Sequence, residues 1–208
     1  MTNGPKRFWL IAGPNGVGKT TYAFRNVPAV SGSTNFVNLD EIARGLSPLE
    51  PRKAEREAAR IVLARARDFI GRREVFTVET TMSGQTHLAL MREAKAAGLS
   101  PTLLYFSVRD PDICLQRIAR RVAEGGHDVP EPIVLRRFQR SHENLPAYCA
   151  AADLWRIYEA SGVRPCLAAE GQGSTVVHRD ADSLAGANDY VRGFVGQAGG
   201  LASGNLQD

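Results

Sequence analysis

Cysteine is scarce in this chain of 208 residues, with three in all, at Cys114, Cys149 and Cys166. The number is odd and none of them forms the close pairs that zinc sites and redox motifs need. A disulfide framework and a structural metal domain are therefore excluded, and reduced, mostly buried thiols are expected. No apolar run approaches the length of a membrane span. The N-terminal run, Phe8 to Ala12, leads into a glycine-rich segment instead of a cleavage site, which argues against a secretory leader and for a cytoplasmic protein with no membrane partner. Internal repeats are absent, and so is any Asn-Lys-x-Asp segment, which disfavours guanine specificity. Charge of one sign does not dominate either. The net charge is +4, and the arginines sit in helical segments instead of a basic tail, so nucleic acid is not the expected partner. Phosphorylated small molecules suit a mildly basic cleft equally well.

What is present is ordinary globular material, 43% hydrophobic and 23% charged, enough for one α/β domain over residues 1–195. Residues 196–208 are Gly-, Ala- and polar-rich without periodicity and read as a disordered tail. Apolar runs at Phe8 to Ala12, Phe36 to Leu39, Val75 to Val78 and Thr102 to Val108 alternate with helical patterns. That alternation predicts a parallel β-sheet with helices on both faces. The first helix is expected from Lys19 to about Asn26, ended by Pro28. Others are expected from Pro51 to Ile70, closed by Gly71, from Gln85 to Ala97, from Asp110 as cap to Val122, and from Pro132 to Ser141. Trp155 to Glu159, Arg164 to Ala169 and Thr175 to His178 are further strand candidates. The breaker-rich loop Glu124 to Pro130, between arginine-bearing helices in the span 117–140, suggests a mobile lid.

The most specific signal is Gly13-Pro14-Asn15-Gly16-Val17-Gly18-Lys19-Thr20-Thr21, which follows the first apolar run and has P-loop spacing. Glycines let the backbone bend around an anion, and exposed amides donate to phosphate oxygens. Lys19 reaches the β and γ phosphates, and Thr20 holds Mg²⁺. The implied ligands are ATP and Mg²⁺.

A P-loop alone does not separate kinase from other nucleotidases, so groups at other strand ends must decide. Asp40 closes the expected strand Phe36 to Leu39, where a carboxylate can deprotonate an acceptor hydroxyl; an N-cap is the plainer alternative. Glu79 ends the next strand and can orient an acceptor or contact Mg²⁺ through water, while Thr81 and Ser83 can add acceptor hydrogen bonds or cap a helix. Arg117, Arg120 and Arg121 lie at i, i+3 and i+4, and beyond the loop Arg136 and Arg137 lie four and three residues before Arg140. Each trio can turn guanidiniums from one helix face toward transferred phosphate. His127 has no metal-ligand neighbour at suitable spacing, and a lid hydrogen bond suits it better than a metal.

These segments, taken in order as Ala12 to Thr20, Asn38-Leu-Asp-Glu-Ile-Ala43, Glu79-Thr-Thr81 and Arg121-Val-Ala-Glu-Gly-Gly-His-Asp-Val-Pro130, resemble the zeta-toxin family of P-loop kinases over roughly residues 8 to 160. The resemblance implies a nucleoside-kinase-like sheet and ATP-dependent phosphorylation of a sugar hydroxyl on UDP-N-acetylglucosamine or a related UDP-amino sugar. An antitoxin is the partner it implies. Lys19 and Thr20 would bind MgATP, Asp40 would be the base, and Glu79 and Thr81 would contact the sugar. Arg120 or Arg121 would be the first lid arginine, with Arg136 or Arg137 reaching in from the following helix as the second. The best-known toxins carry an Arg shortly after Glu-x-Thr, where this chain has Ser83. A different hydroxyl acceptor, or a nucleotide-dependent binding switch, are the alternatives.

Overall fold

Alternation along β1 (Arg7–Ala12) sends Phe8, Leu10 and Ala12 to one face and Trp9 and Ile11 to the other, and both sets are buried. A strand that is apolar on both faces belongs inside a parallel sheet covered on both sides. The computed structural model, which describes residues 5–200, places it there. The other strands are β2 (Phe36–Val37), β3 (Phe76–Thr80), β4 (Ser100–Ser107), β5 (Leu154–Glu159), β6 (Cys166–Gln172) and β7 (Thr175–Arg179). Their order is β2-β3-β1-β4-β5-β6-β7, with β1 to β5 parallel and the β6–β7 hairpin antiparallel. This is the expected α/β architecture, a largely parallel sheet with helices on both faces.

Helices α1 (Lys19–Ser31), α2 (Leu39–Leu46), α3 (Glu55–Arg72), α4 (Thr86–Ala96), α5 (Pro111–Ala123), α6 (Glu131–Ala151), α7 (Ala181–Ala185) and α8 (Asp189–Gly200) complete it, with a 3-10 turn at Pro51–Ala54 before α3. One core cluster joins β1, β3, β4 and β5 to α3, α4 and α8. The other joins the opposite face to α1 and α5. Helix α6 serves both, with Val134 and Phe138 in the second cluster and Leu145, Tyr148 and Cys149 in the first. At the change-over it meets the carboxyl end of β4, where Tyr105 bonds Ser141 at 3.1 Å and the Ser107 hydroxyl lies 2.8 Å from His142 Nε2. The His142 Nδ1–H donates to the Phe138 carbonyl, which leaves Nε2 to accept from Ser107.

Several expected boundaries move, for packing reasons. Helix α1 runs through Pro28 to Ser31. The carbonyl that loses its partner belongs to Phe24, whose residue is exposed, and the helix ends on Gly32 at φ 68°. Helix α3 passes through the exposed Gly71 and closes on Arg73 at φ 51°, whose amide donates to the Ile70 carbonyl at 3.0 Å. Helix α6 is 21 residues long and not the ten from Pro132 to Ser141, since burial of Leu145, Tyr148 and Cys149 outweighs the break at Pro146. Residues 196–200, expected in the tail, form the last turn of α8, and residues 201–208 lie outside the described part. Cys114 and Cys149 are buried thiols, as expected, while Cys166 is exposed. Among the described residues no helix is long and apolar enough to cross a membrane.

Candidate active site

The P-loop leaves β1 at its carboxyl end, and its conformation depends on glycine at two points. Gly13 has φ 142° and a Cβ there would lie 2.2 Å from the Phe106 carbonyl oxygen; Gly16 has φ 79° and its Cβ would lie 2.6 Å from that of Cys114. Both positions therefore exclude any side chain. Gly18 opens α1 at φ 102° without a side-chain cap, and the first turn carries no acidic residue. The first amides of α1 are thus left to an outside acceptor, as at an anion site. Lys19 is buried, and its Nζ donates to the Pro14 carbonyl at 2.8 Å. These features fit a nucleotide's phosphates. Thr21 is exposed on the outer side of α1, and Val17 is buried, with its carbonyl accepting from Arg117 at 3.4 Å.

Thr20 at the start of α1 meets Glu79 near the end of β3, the hydroxyl donating to Glu79 Oε1 at 2.9 Å. The other oxygen, Oε2, accepts from Asn38 Nδ2 at 2.7 Å. Burial pushes the Glu79 carboxyl above its ordinary range, opposed by the Lys19 charge and by these two hydrogen bonds, with Asp40 adding to the rise. Burial likewise lowers the Lys19 ammonium, against the pull of Glu79 and Asp40. Each charge thus supports the other in a poorly hydrated corner.

Asp40 is not at a strand end. Strand β2 stops at Val37, Asn38 caps α2 by accepting from the Glu41 amide at 3.1 Å, and Asp40 falls in the first turn of the helix. The capping alternative thus falls to Asn38, its neighbour. Asp40 is exposed, yet it lines the same cleft of about 330 Å³ as Lys19, Glu79, Thr81, Ser83 and Arg137. Leu39 of α2 and Ala59, Val62 and Leu63 of α3 form its apolar wall, with Glu55 beside them.

The loop after β3 is held rigidly. Met82 is buried at φ 56°, its amide bonded to Thr80 Oγ1 at 3.0 Å and its carbonyl to Asn144 Nδ2 at 2.9 Å. Tyr148 donates to the Gly84 carbonyl at 2.7 Å and accepts from the Leu88 amide at 3.1 Å. Thr81 and Ser83 bond each other at 3.0 Å. His87, which the sequence reading passed over, also lines the cleft; its Nδ1 lies 3.2 Å from Thr80 Oγ1, and burial lowers its pKa to about 4. No local motif marks it. The signals that were available are its place in the first turn after the Glu-x-Thr loop and, for Asn38, a cap residue directly ahead of an acidic first turn.

The arginine trios divide. Arg117 does not point to phosphate; it braces the chain, donating through Nη2 to the carbonyls of Ala160 at 2.8 Å, Ser161 at 2.9 Å and Gly162 at 3.2 Å. Arg120 and Arg136 are exposed and do not line the cleft. Arg121 donates to the His127 carbonyl at 2.6 Å, fastening the 124–130 loop, and shares a smaller recess with Asp40, Glu55 and His127. Arg137, not Arg136, reaches the cleft and lies 3.3 Å from Asn15 Oδ1 of the P-loop. Spacing defined a helix face, and packing decided which member of it turned inward. Among the described residues no group of three or more His, Cys, Asp or Glu side chains could hold a metal. A Mg²⁺ shared with ATP needs no such cage, because phosphates and water fill most of its shell.

A family model described as an AAA domain matches residues 8–145. An uncharacterized protein of Haemophilus influenzae is 32% identical over 140 residues, 64% of this chain and 98% of that protein. Among solved structures, the AvrRxo1-ORF1:AvrRxo1-ORF2 complex with sulphate ions superposes with a TM-score of 0.69 at 17% identity, over 86% of this chain and 62% of that one. The chain thus spans less than two thirds of that relative's length. The same pair solved with ATP gives a TM-score of 0.67 at 16% identity over the same shares of the two chains. A structure from the PezAT chromosomal toxin-antitoxin system of Streptococcus pneumoniae gives 0.65 at 13% identity, over 95% and 88% of the two chains. At such identities these structures speak for the fold alone, a P-loop kinase-like one.

Proposed function

We propose that this chain, which belongs to the AAA domain family, is an ATP-dependent kinase that moves the γ-phosphoryl of MgATP to the sugar hydroxyl of UDP-N-acetylglucosamine or a related UDP-amino sugar. The observation that carries the reading is the convergence of Lys19, Asp40, Glu79 and the Thr81–Ser83 hydroxyls on one cleft at the P-loop. Phosphoryl transfer asks the protein mainly for positioning and charge stabilisation, and these groups supply both.

The glycine cradle and Lys19 hold the phosphates, with Lys19 Nζ exchanging the Pro14 carbonyl for phosphate oxygen. Thr20 would be the protein ligand of a Mg²⁺ and Glu79 the carboxylate behind it, and the ion would supply neutralisation of charge on the phosphates. Asp40 accepts the proton of the acceptor hydroxyl as its oxygen bonds to the γ-phosphorus and the bond to ADP breaks. Arg137 and Arg121 stabilise charge on the transferred group, and the 124–130 loop works as a lid that excludes water. Arg120 and Arg136 would join only if that lid moves.

A second acceptor class has its own support. Asp40, Glu55 and Glu79 outnumber the cations Lys19 and Arg137 around the cleft, and Ser83 stands where the best-known toxins carry Arg. A neutral or amino-bearing hydroxyl compound, such as a polyol or an antibiotic, meets less repulsion there than a diphosphate. Labelled ATP offered with UDP-sugars and with other hydroxyl metabolites separates the two. A labelled UDP-sugar supports the first reading, a labelled neutral acceptor the second, and slow hydrolysis without any acceptor a nucleotide-driven switch. An antitoxin partner belongs to the first reading; if it holds, expression arrests growth, Lys19→Ala does not, and equal arrest by both contradicts an ATP-dependent toxin.

A further inference from the structure

We propose that Asn38 is a positioning residue that fixes the acceptor carboxylate of Asp40 relative to the Thr20 hydroxyl, holding Glu79 with one end of its amide and helix α2 with the other. The proposal rests on the phosphotransferase reading but not on which acceptor is used.

Asn38 Nδ2 donates to Glu79 Oε2 at 2.7 Å while its Oδ1 accepts from the Glu41 amide at 3.1 Å. Glu79 Oε1 in turn accepts from Thr20 Oγ1 at 2.9 Å. One carboxylate and one amide therefore tie the start of α1 to the start of α2. Asn38 is only 5% exposed, so water does not replace these bonds readily, and removing the amide donor strands a buried carboxylate oxygen. Capping alone does not account for asparagine, since serine, threonine and aspartate cap comparably. What the amide adds is an acceptor and a donor on two separate atoms, so that one side chain reaches the helix and Glu79 together, a span beyond a single hydroxyl oxygen.

Both ends of the chain bear on the chemistry. Because the Thr20 proton is committed to Glu79, the lone pairs of that hydroxyl are turned elsewhere and stay available to a cation. Asp40 lies two residues beyond Asn38 in the first turn of α2, whose entry is set by the cap. An unanchored Glu79 is free to rotate, which disturbs the Thr20 proton and the seat of α2 together.

The test compares the full-length chain with Asn38→Ser, which keeps a capping hydroxyl but cannot span to Glu79 as well, and with Asn38→Ala, which loses both contacts. Thermal unfolding, ATP affinity across a Mg²⁺ titration, and kcat and KM for transfer are read on each. Asn38→Ser is expected to stay folded at the assay temperature, its melting temperature lowered by only a few degrees, and to keep KM within about twofold while kcat falls about tenfold, the change a single lost positioning bond produces. Its half-saturating Mg²⁺ for ATP binding is expected to rise several-fold. Asn38→Ala, which also loses the cap, lowers the melting temperature further and shows the same kinetic loss. Wild-type kcat and Mg²⁺ dependence in Asn38→Ser overturn the proposal, as does a kcat loss that tracks the folded fraction only. Should the wild type transfer phosphate to no acceptor, the phosphotransferase reading fails separately; the Mg²⁺ dependence of ATP binding then decides for Asn38 if shifted and against it if unchanged.

Discussion

The proposed donor and acceptor halves of the cleft are built in opposite ways. The donor half comes from one contiguous segment, residues 13–20, whose conformation is forced by glycines that touch the carbonyls of Phe106 and Cys114 and whose lysine is buried. The acceptor half is collected from α2, α3, the loop after β3 and α6, and its proposed base, Asp40, is exposed. A phosphate cradle must be the same for every substrate, so it can be rigid and local. An acceptor wall must fit one molecule, and side chains from several elements can be varied for that without disturbing the cradle.

This contrast gives the first prediction. Lys19→Ala is expected to lower transfer by about 10²–10³-fold or more, since a preorganised cation at the phosphates is lost. Transfer assays beside calorimetric ATP binding check it, and unaltered turnover would break the assignment of the donor half.

Next in size is the division within the second arginine trio. Arg137→Ala is expected to reduce transfer by up to about 10²-fold, because this guanidinium lines the cleft beside Asn15. Arg136→Ala, on the exposed side of the same helix, is expected to change it by no more than about twofold. Steady-state kinetics on the pair decides, and equal effects would mean that the lid rearranges enough to bring Arg136 in.

The smallest expected effect is on stability. His87 and His142 have pKa values lowered to about 4 by burial, from an ordinary 6.5. Both stay neutral in the folded chain while the unfolded chain takes up protons below pH 6.5. Stability is therefore full above that pH and falls as pH drops toward about 4, by up to about 1.4 kcal/mol per pH unit for each histidine. Urea midpoints between pH 7 and 4 measure the slope. His142→Gln is expected to be less stable at pH 7 and to show a shallower fall; an unchanged slope contradicts the assignment.

How far the sequence could be read follows the same division. The P-loop was legible because its chemistry is local, and the parallel order of strands followed from apolar runs alternating with helices. Asp40 was expected to close a strand, but a two-residue β2 leaves Asn38 to cap and puts Asp40 inside α2. Pro28 and Gly71 looked like helix ends but lie on exposed turns that the helix tolerates, while α6 runs past Ser141 because Leu145, Tyr148 and Cys149 had to be packed. Arg117 had a phosphate-facing spacing and became a brace for the carbonyls of 160–162, because periodicity names a face and only the tertiary neighbours name its occupant. His87 and Asn38 carry no motif at all. Their part in the cleft exists only once β3, α2 and α4 are side by side.

The measurement that bears most directly on a two-part kinase site is Asp40→Asn, read for ATP affinity and for phosphoryl transfer in the same preparation. The expected result is a loss of transfer of about 10²–10⁴-fold with ATP affinity nearly unchanged, since a general base is removed from an exposed position outside the cradle. Full transfer by Asp40→Asn, or loss of ATP binding in step with transfer, would contradict it.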